Sequence, residues 1–276
     1  MIIVNKISSL KKIIRKRKPK QTIGLVPTMG ALHEGHLSLI RKARNDNDCV
    51  VVSIFVNPAQ FGPKEDLKKY PRDIKNDCRL CFKEGADIVF NPSAEEMYPD
   101  GFDTYVEVGR LSKRLCGRSR PGHFKGVATV VLKLFNLVNP DIAYFGQKDA
   151  QQVKIIERMV LDLNIGVVIK TMPIIRESDG LAMSSRNTYL NSREREDASV
   201  LSHSLTLAQN LVKAGTRDSK RVLDAVRNMI NNHAKIDYVE IVDPETFLPV
   251  KKISKKSLML MAAWVGKTRL IDNRYV

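Results

Sequence analysis

Residues 33–36 read His33-Glu34-Gly35-His36 and follow Pro27-Thr28-Met29-Gly30. Ahead of them Ile23-Gly24-Leu25-Val26 is a short apolar stretch of strand type. Behind them Leu37-Ser38-Leu39-Ile40-Arg41-Lys42-Ala43 has helix-forming composition. The order is strand, glycine turn, then two histidines at the mouth of a helix. That arrangement suits an anion, because unpaired backbone N–H groups and the helix dipole point at whatever docks there. Two imidazoles add donors able to follow negative charge as it grows in a transition state. Zinc ligation is the weaker reading: third and fourth ligands are missing, and the helical metalloprotease pair is one residue longer. Mere capping and packing is disfavoured by Gly30, Gly35 and the preceding strand.

Three other groups of residues could do chemistry. In Gly146-Gln147-Lys148-Asp149 the ammonium could reach phosphates and the carboxylate ribose hydroxyls, although alone the segment reads as a surface turn. Met183-Ser184-Ser185-Arg186-Asn187 offers two hydroxyls and a guanidinium, a fair phosphate clamp; alone it reads as a cap for a helix beginning near Ser192. Gln60 and Gln152 are neutral amides near ligand-facing turns, and singly each reads as solvent-exposed. Cys78-x-x-Cys81 has no matching second pair and lies in a helix-like stretch, so Cys49, Cys78, Cys81 and Cys116 read as free, buried or half-buried thiols.

The elements that must hold these groups alternate. Val50 to Val56 is a continuous apolar, β-branched run bearing only Ser53, which predicts a strand buried on both faces. Strands are also predicted at Ala86 to Phe90, Ile142 to Phe145 and Val167 to Ile169, with helices at Val127 to Val138 and Val153 to Leu161. The expected fold is an α/β, doubly wound (Rossmann-like) parallel sheet, with ligands at the carboxyl ends of its strands. Segment 27–36, Asn57-Pro58-Ala59-Gln60-Phe61-Gly62 and Gly146 to Asp149 each follow an apolar strand directly. After Pro173 the texture changes. Residues 191–235 look helical, with Leu201, Leu205, Ala208, Leu211 and Val212 on one face; Tyr238 to Val242 and Leu258 to Val265 read as strands. The expected division is 1–175 for a nucleotide- and substrate-binding domain and 176–276 for a smaller α+β domain.

Composition narrows the function classes. A length of 276 residues with a 43% hydrophobic share suits a globular protein. No apolar run approaches the roughly 20 residues of a membrane span, and Met1 to Lys6 lacks the pattern of a signal peptide; the expected location is the cytoplasm. The formal net charge is +16, densest between Lys11 and Lys20. Ile7, Leu10, Ile13 and Ile14 recur there at helical spacing, so the cluster reads as the solvated face of an amphipathic helix ending near Pro19. Few aromatics accompany the charges, so stacking on bases has little support; small anionic substrates, or simply a lysine-rich proteome, explain the charge about as well.

Taken in order, Pro27 to His36, Phe55-Val56-Asn57-Pro58-Ala59-Gln60-Phe61, Arg120-Pro121-Gly122-His123-Phe124, Tyr144 to Asp149 and Met183 to Asn187 closely resemble the pantothenate synthetase (pantoate–β-alanine ligase) family. The similarity spans nearly the whole chain, including Asp243-Pro244 and the tail from Trp264 to Asn273. His33 to His36 is similar to the His-x-Gly-His signature of the nucleotidyltransferase superfamily, and Met183 to Arg186 to its second phosphate-binding motif. The resemblance implies ATP-dependent joining of pantoate and β-alanine through a pantoyl adenylate, with Mg²⁺, in a homodimer, and no nucleic-acid or membrane partner. It further implies that ATP lies over Met29, Gly30, Ala31, Leu32, His33, Glu34, Gly35 and His36, and against Gly146, Gln147, Lys148 and Asp149. Ile175, Met183, Ser184, Ser185 and Arg186 would close on it. His33 and His36 would stabilise the α-phosphate, with His36 the proton donor. Lys148 would hold phosphate oxygens and Asp149 the ribose. Gln60 and Gln152 would grip pantoate, Gln60 also bordering β-alanine; Asn57 and Arg120 fall near the site. A different nucleotidyltransferase would share the histidines and the fold, but the two glutamines suit pantoate's hydroxyl and carboxylate.

Overall fold

The computed structural model describes residues 1–16, 21–63 and 65–276. Its first unit runs β1 (Ile2–Val4), α1 (Ile7–Arg15), β2 (Ile23–Thr28), α2 (Glu34–Asp46), β3 (Cys49–Ile54), α3 (Ile74–Lys83), β4 (Ile88–Phe90), α4 (Ala94–Met97), α5 (Cys116–Ser119), α6 (His123–Val138), β5 (Ile142–Gly146), α7 (Ala150–Asp162) and β6 (Val168–Met172). The six strands form one parallel sheet in the order β1-β4-β3-β2-β5-β6. From β2 the chain winds outward through β3, then returns to β5 on the other side. The switch point therefore lies between β2 and β5.

Alternation along the strands explains why both faces are covered. Leu25, Val51, Ile88 and Phe90 point toward α1, α6 and α7, while Val26, Val50, Val52 and Val89 point toward α2 and α3. Leu10 is fully buried and fixes α1 to the first layer, a contribution of about 1.5–3 kcal/mol. Helix α1 ends at Arg15; the expected stop at Pro19 and the basic residues Arg17, Lys18 and Lys20 lie outside the described residues. Cys78 and Cys81 sit on α3 as free thiols.

The second unit contains α8 (Ser192–Ala198), α9 (Val200–Lys213), α10 (Ser219–Asn231), β7 (Lys235–Val242), β8 (Leu258–Val265) and β9 (Thr268–Tyr275). Its three strands are antiparallel in the order β7-β8-β9. One face packs Val239, Ile241, Met259 and Met261 onto α9 and α10. The other packs Tyr238, Val242, Leu258 and Leu260 onto Leu115, Phe124, Ala150 and Ile155 of the first unit. Among the described residues no helix is long and apolar enough to cross a membrane.

Several boundaries differ from expectation. The apolar run from Val50 stops being strand at Ile54, because Asn57 caps a 3-10 turn at Pro58–Gln60. Helix α6 begins at His123, earlier than its apolar stretch. The helical region 191–235 is three helices, the last started by Asp218, whose carboxylate accepts from Lys220 and Arg221 N–H groups. Strand β1 is too short to read from its sequence, and β9 is masked by Arg269, Asp272, Asn273 and Arg274. The helix beginning at Ser192 is capped by Asn191 and Glu194, not by residues 183–187.

Helix α6 lies against the 58–60 turn with no side chain between them at Gly126. A Cβ there would stand 2.2 Å from Ala59 O and 2.6 Å from Gln60 N. Gly126→Ala is expected to push the turn away and to cost about 1–3 kcal/mol, the range for overpacking. Chemical denaturation of the variant checks this; an unchanged midpoint would show that the two elements are not in close contact.

Candidate active site

A cleft opens at the carboxyl ends of β2, β3 and β5, at the switch point. Its floor is Pro27, Thr28, Ser53, Phe55 and Phe145, one wall is Val127, Val130, Val131 and Leu134 of α6, and the far wall is Pro173 to Ile175 with Met183 to Arg186. Met29, His33, Gly35, His36, Gln60, Gly146, Lys148, Asp149, Gln152, Ile175, Met183, Ser184, Ser185 and Arg186 all line it. Gly30, Ala31, Leu32, Glu34 and Gln147 are grouped with them by sequence, but do not line the cleft; Glu34 pairs outward with Arg41.

The turn before the histidines is held from beneath. Gly30 (φ 82°) and Ala31 (φ 50°) are both left-handed. The Asp77 carboxylate of α3 accepts from Ala31 N at 2.9 Å and Leu32 N at 2.8 Å. A Cβ on residue 30 would lie 2.9 Å from Asp77 Oδ2, so glycine is required for space as well as for φ. Thr28 Oγ1 accepts from Gly30 N at 3.2 Å and donates to Ser53 O at 2.8 Å.

The histidines cap the helix reciprocally. Gly35 N donates to His33 Nδ1 at 3.2 Å, and His33 N donates to His36 Nδ1 at 3.3 Å. The ring centroids are 4.1 Å apart. This corrects the expectation of open backbone donors at the helix mouth: the N–H groups of Ala31, Leu32, His33 and Gly35 already donate within the protein. The imidazoles offer donors instead. A ring nitrogen that accepts an amide N–H carries no proton, so each neutral ring carries its proton on Nε2. The electrostatics agree. Burial, then the Lys148 charge, lowers His33 to about 4 against the opposing pull of Asp149 and Glu177. Burial, His33 and Lys148 hold His36 well below the usual histidine range.

Gln60 is buried, not solvent-exposed, and its amide is oriented. Asn57 Oδ1 accepts from Ala59 N at 3.3 Å and Tyr98 Oη at 2.7 Å, which leaves Asn57 Nδ2 to donate to Gln60 Oε1 at 2.9 Å and Gly126 O at 3.1 Å. With Oε1 occupied, the amide group that Gln60 can offer a ligand is its Nε2 donor. His123 is also buried: Nδ1 donates to Gln60 O at 2.8 Å and Nε2 accepts from Arg120 Nη1 at 3.1 Å. Burial, with the Arg120 charge second, lowers His123 to about 3.

The arginines are not waiting for a ligand. Arg120 forks onto Glu65 at 2.8 and 2.5 Å. Arg186 forks onto Asp66 at 2.8 and 2.8 Å above the Tyr70 ring. Arg186, expected as an open phosphate clamp, is thus closed on a carboxylate. Lys148 makes no ion pair among the described residues. Ser185 Oγ donates to Ala31 O at 3.1 Å, joining the far wall to the histidine turn.

Sequence reading missed Asp66, Asp77 and Ser53. Ser53 Oγ is buried with no partner among the described residues and lies in the cleft floor; its signal was a lone hydroxyl in an apolar strand. Among the described residues no group of three or more His, Cys, Asp or Glu could hold a metal.

Fold and site together define a doubly wound α/β enzyme whose switch-point cleft has donors for an anion and an apolar wall beside them. The sequence matches the pantoate-beta-alanine ligase family over residues 2–275. It is 59% identical to a pantothenate synthetase of Thermotoga neapolitana, covering 99% of both chains, and 56% identical to that of Caldicellulosiruptor saccharolyticus, covering 99% of this chain and 98% of the other. The structure superposes on pantothenate synthetase from Thermus thermophilus with TM-score 0.95 and 44% identity, covering 100% and 99% of the two chains. A pantoate-beta-alanine ligase of Francisella tularensis, complexed with β-γ ATP and β-alanine, gives TM-score 0.84 and 38% identity over 100% of this chain and 97% of that one. The chain belongs to the pantoate–β-alanine ligase family. Its reaction is the ligation of pantoate to β-alanine.

Histidines kept neutral by folding charge when the chain unfolds in acid. Folded values of about 4 for His33 and about 3 for His123 lie below the ordinary value of 6.5. The stability they contribute is therefore complete above pH 6.5 and drains as pH falls toward those values. Between pH 6 and 4, His123→Gln should flatten the slope of unfolding free energy by up to about 1.4 kcal/mol per pH unit, one proton's worth. Denaturant titrations across that range measure it, and identical slopes would mean that His123 titrates normally in the fold.

Proposed function

We propose that the cleft carries out an AMP-forming ligation. A pantoate carboxylate oxygen attacks the α-phosphorus of ATP, forming an O–P bond as the α–β bridge breaks and pyrophosphate leaves. The β-alanine amine then attacks the resulting acyl carbon; the C–O bond to AMP breaks, the amide forms and a proton is released. The first step is needed because a free carboxylate would have to expel oxide. The observation that carries the reading is the convergence of two neutral Nε2–H donors and an unpaired ammonium on one cleft that also holds Gln60 and an apolar wall.

That geometry supports a role for each residue in this reading. Lys148 meets phosphate oxygens, and Asp149, Gly146 and Ile175 border the nucleoside, with Gln147 shaping the turn. His33 and His36 donate to charge growing on the α-phosphate. The reciprocal cap favours hydrogen-bond donation by His36 over the proton donation that the resemblance implies. Gln60 and Gln152 hold pantoate's polar groups while Val127, Val130, Val131 and Leu134 receive its methyl groups. Ser184, Ser185 and Arg186 close on the phosphates once Arg186 exchanges Asp66 for a phosphate oxygen, a swap between two charge-assisted forks. The Francisella ligase, complexed with β-γ ATP and β-alanine, supports both as ligands here. The described side chains form no cage for Mg²⁺, so in this reading the ion enters on nucleotide phosphates as part of the substrate. Residues 1–175 form the binding body, residues 176–276 supply a lid, and the enzyme works as a cytoplasmic homodimer.

Two measurements test the reading. Labelled pyrophosphate should exchange into ATP when pantoate is present and β-alanine absent, since reversal of the first step rebuilds ATP. Exchange that requires the amine, or ADP among the products, would contradict an adenylate. His36→Ala should slow adenylation about 10²–10³-fold, as for loss of one preorganised donor. His36→Gln, which keeps an N–H donor on a side chain of similar reach, should recover about tenfold of that loss. Equal inactivity of both variants, with normal melting, would instead favour proton transfer by His36.

A further inference from the structure

Strand β9 carries two buried polar residues that the ligation chemistry does not use. Asn273 is 2% exposed. Its Nδ2 donates to Gln147 O and to Lys148 O, both at 2.9 Å, and its Oδ1 accepts from Gln147 Nε2 at 3.1 Å. The β5–β6 ladder ends at Gly146 and Met172. Beyond it no ladder bond reaches the turn Gln147–Asp149 among the described residues, and the carbonyls of both Gln147 and Lys148 are bonded to Asn273. Asp272, 1% exposed, accepts from both terminal nitrogens of Arg176 at 2.7 and 2.9 Å. Arg176 follows Ile175 and forms a bridge with Ala182, just ahead of Met183. Neighbouring residues on a strand point to opposite sides, so one dipeptide reaches both the Lys148 turn and the opposite wall of the cleft.

We propose that Asn273 is a positioning residue for the ligation: it fixes the backbone on which Lys148 stands, while Asp272 fixes the facing strap, so that β9 sets the gap between them. The proposal rests on the reading that Lys148 meets the nucleotide phosphates. A merely structural asparagine would satisfy two buried carbonyls and affect melting alone. A positioning one moves an ammonium relative to its phosphate, and a displacement near 1 Å can cost up to about 10²-fold.

The test uses the full-length enzyme and ATP binding by calorimetry, alongside melting curves and KM values. Asn273→Ala removes all three side-chain bonds. Asn273→Asp keeps the size and the acceptor for Gln147 but turns a carboxylate oxygen toward two carbonyls, so it covers the case in which the alanine variant does not fold. ATP affinity should fall about 10- to 100-fold in either variant below its melting temperature. In a Lys148→Ala background the same substitutions should add little, because Asn273 acts through Lys148. Reduced melting with unchanged ATP affinity overturns the proposal, as does a full additive loss on top of Lys148→Ala. If Lys148→Ala weakens ATP and the Asn273 variants do not, the proposal alone fails. If Lys148→Ala itself leaves ATP binding unchanged, the reading of Lys148 fails and takes the proposal with it.

Discussion

The first N–H groups of any helix have no partner inside it, and α2 begins at the edge of a cleft where water will be displaced. His33 and His36 resolve this through Nδ1, His33 accepting from Gly35 N and His36 from His33 N. Much else depends on that choice. It forces the neutral tautomer with hydrogen on Nε2, and it makes protonation costly, because a proton on Nδ1 would break the cap. It also demands that residues 30–32 arrive along one path, which is why two left-handed residues sit on a buried Asp77 carboxylate. Turn, cap and tautomer are one device: remove the Asp77 acceptor and the N-cap residue loses its approach direction.

The charge of the cleft is more reserved than a net +16 suggests. His33, His36 and His123 are neutral at physiological pH, and Arg120 and Arg186 are matched by Glu65 and Asp66. Lys148 is the cleft cation without a carboxylate partner among the described residues. An incoming polyanion is therefore met first by one ammonium and by hydrogen-bond donors. Further positive charge becomes available only when the Glu65–Asp66 loop gives it up. That loop also touches the far wall, since Tyr189 Oη donates to Lys69 O. Freeing of either guanidinium and rearrangement of this loop are thus coupled through the Arg120–Glu65 and Arg186–Asp66 pairs.

The doubly wound parallel sheet, its burial on both faces and the position of the cleft at its strand ends were legible because they depend on apolar periodicity and on glycine turns, which are local in sequence. The histidine pair was legible as a helix start for the same reason. Its hydrogen bonding was not, because a run of four residues does not say whether an imidazole or a ligand satisfies the amide groups. Gln60 read as exposed because its burial comes from His123 and Arg120, about sixty residues away. Asp66 and Asp77 belong to no local motif; only tertiary structure brings them to Arg186 and to the 30–32 turn. Strand β9 escaped because its buried polar residues, Asp272 and Asn273, break the apolar pattern they were needed to complete.

The packing of the second unit also limits how the cleft can close. The β7–β8–β9 sheet has both faces buried, one on α9 and α10 and the other on the first unit through Tyr238, Val242, Leu258, Leu260 and Ala262. Swinging the whole sheet away would expose those side chains, at a cost on the order of 10 kcal/mol. The strap from Ile175 to Tyr189 is held differently. Apart from Leu181 and Ala182 its ties are polar: Arg176 to Asp272 at its start, then Ser185 to Ala31, Arg186 to Asp66 and Tyr189 to Lys69. Each of the last three can be traded for a bond to phosphate or water at about 1 kcal/mol net. Closure is thus cheapest as movement of residues 183–189, beyond the part of the strap that the Arg176–Asp272 pair fixes, against a sheet that stays in place, which is also the arrangement in which a fixed Asn273 can keep Lys148 aimed throughout.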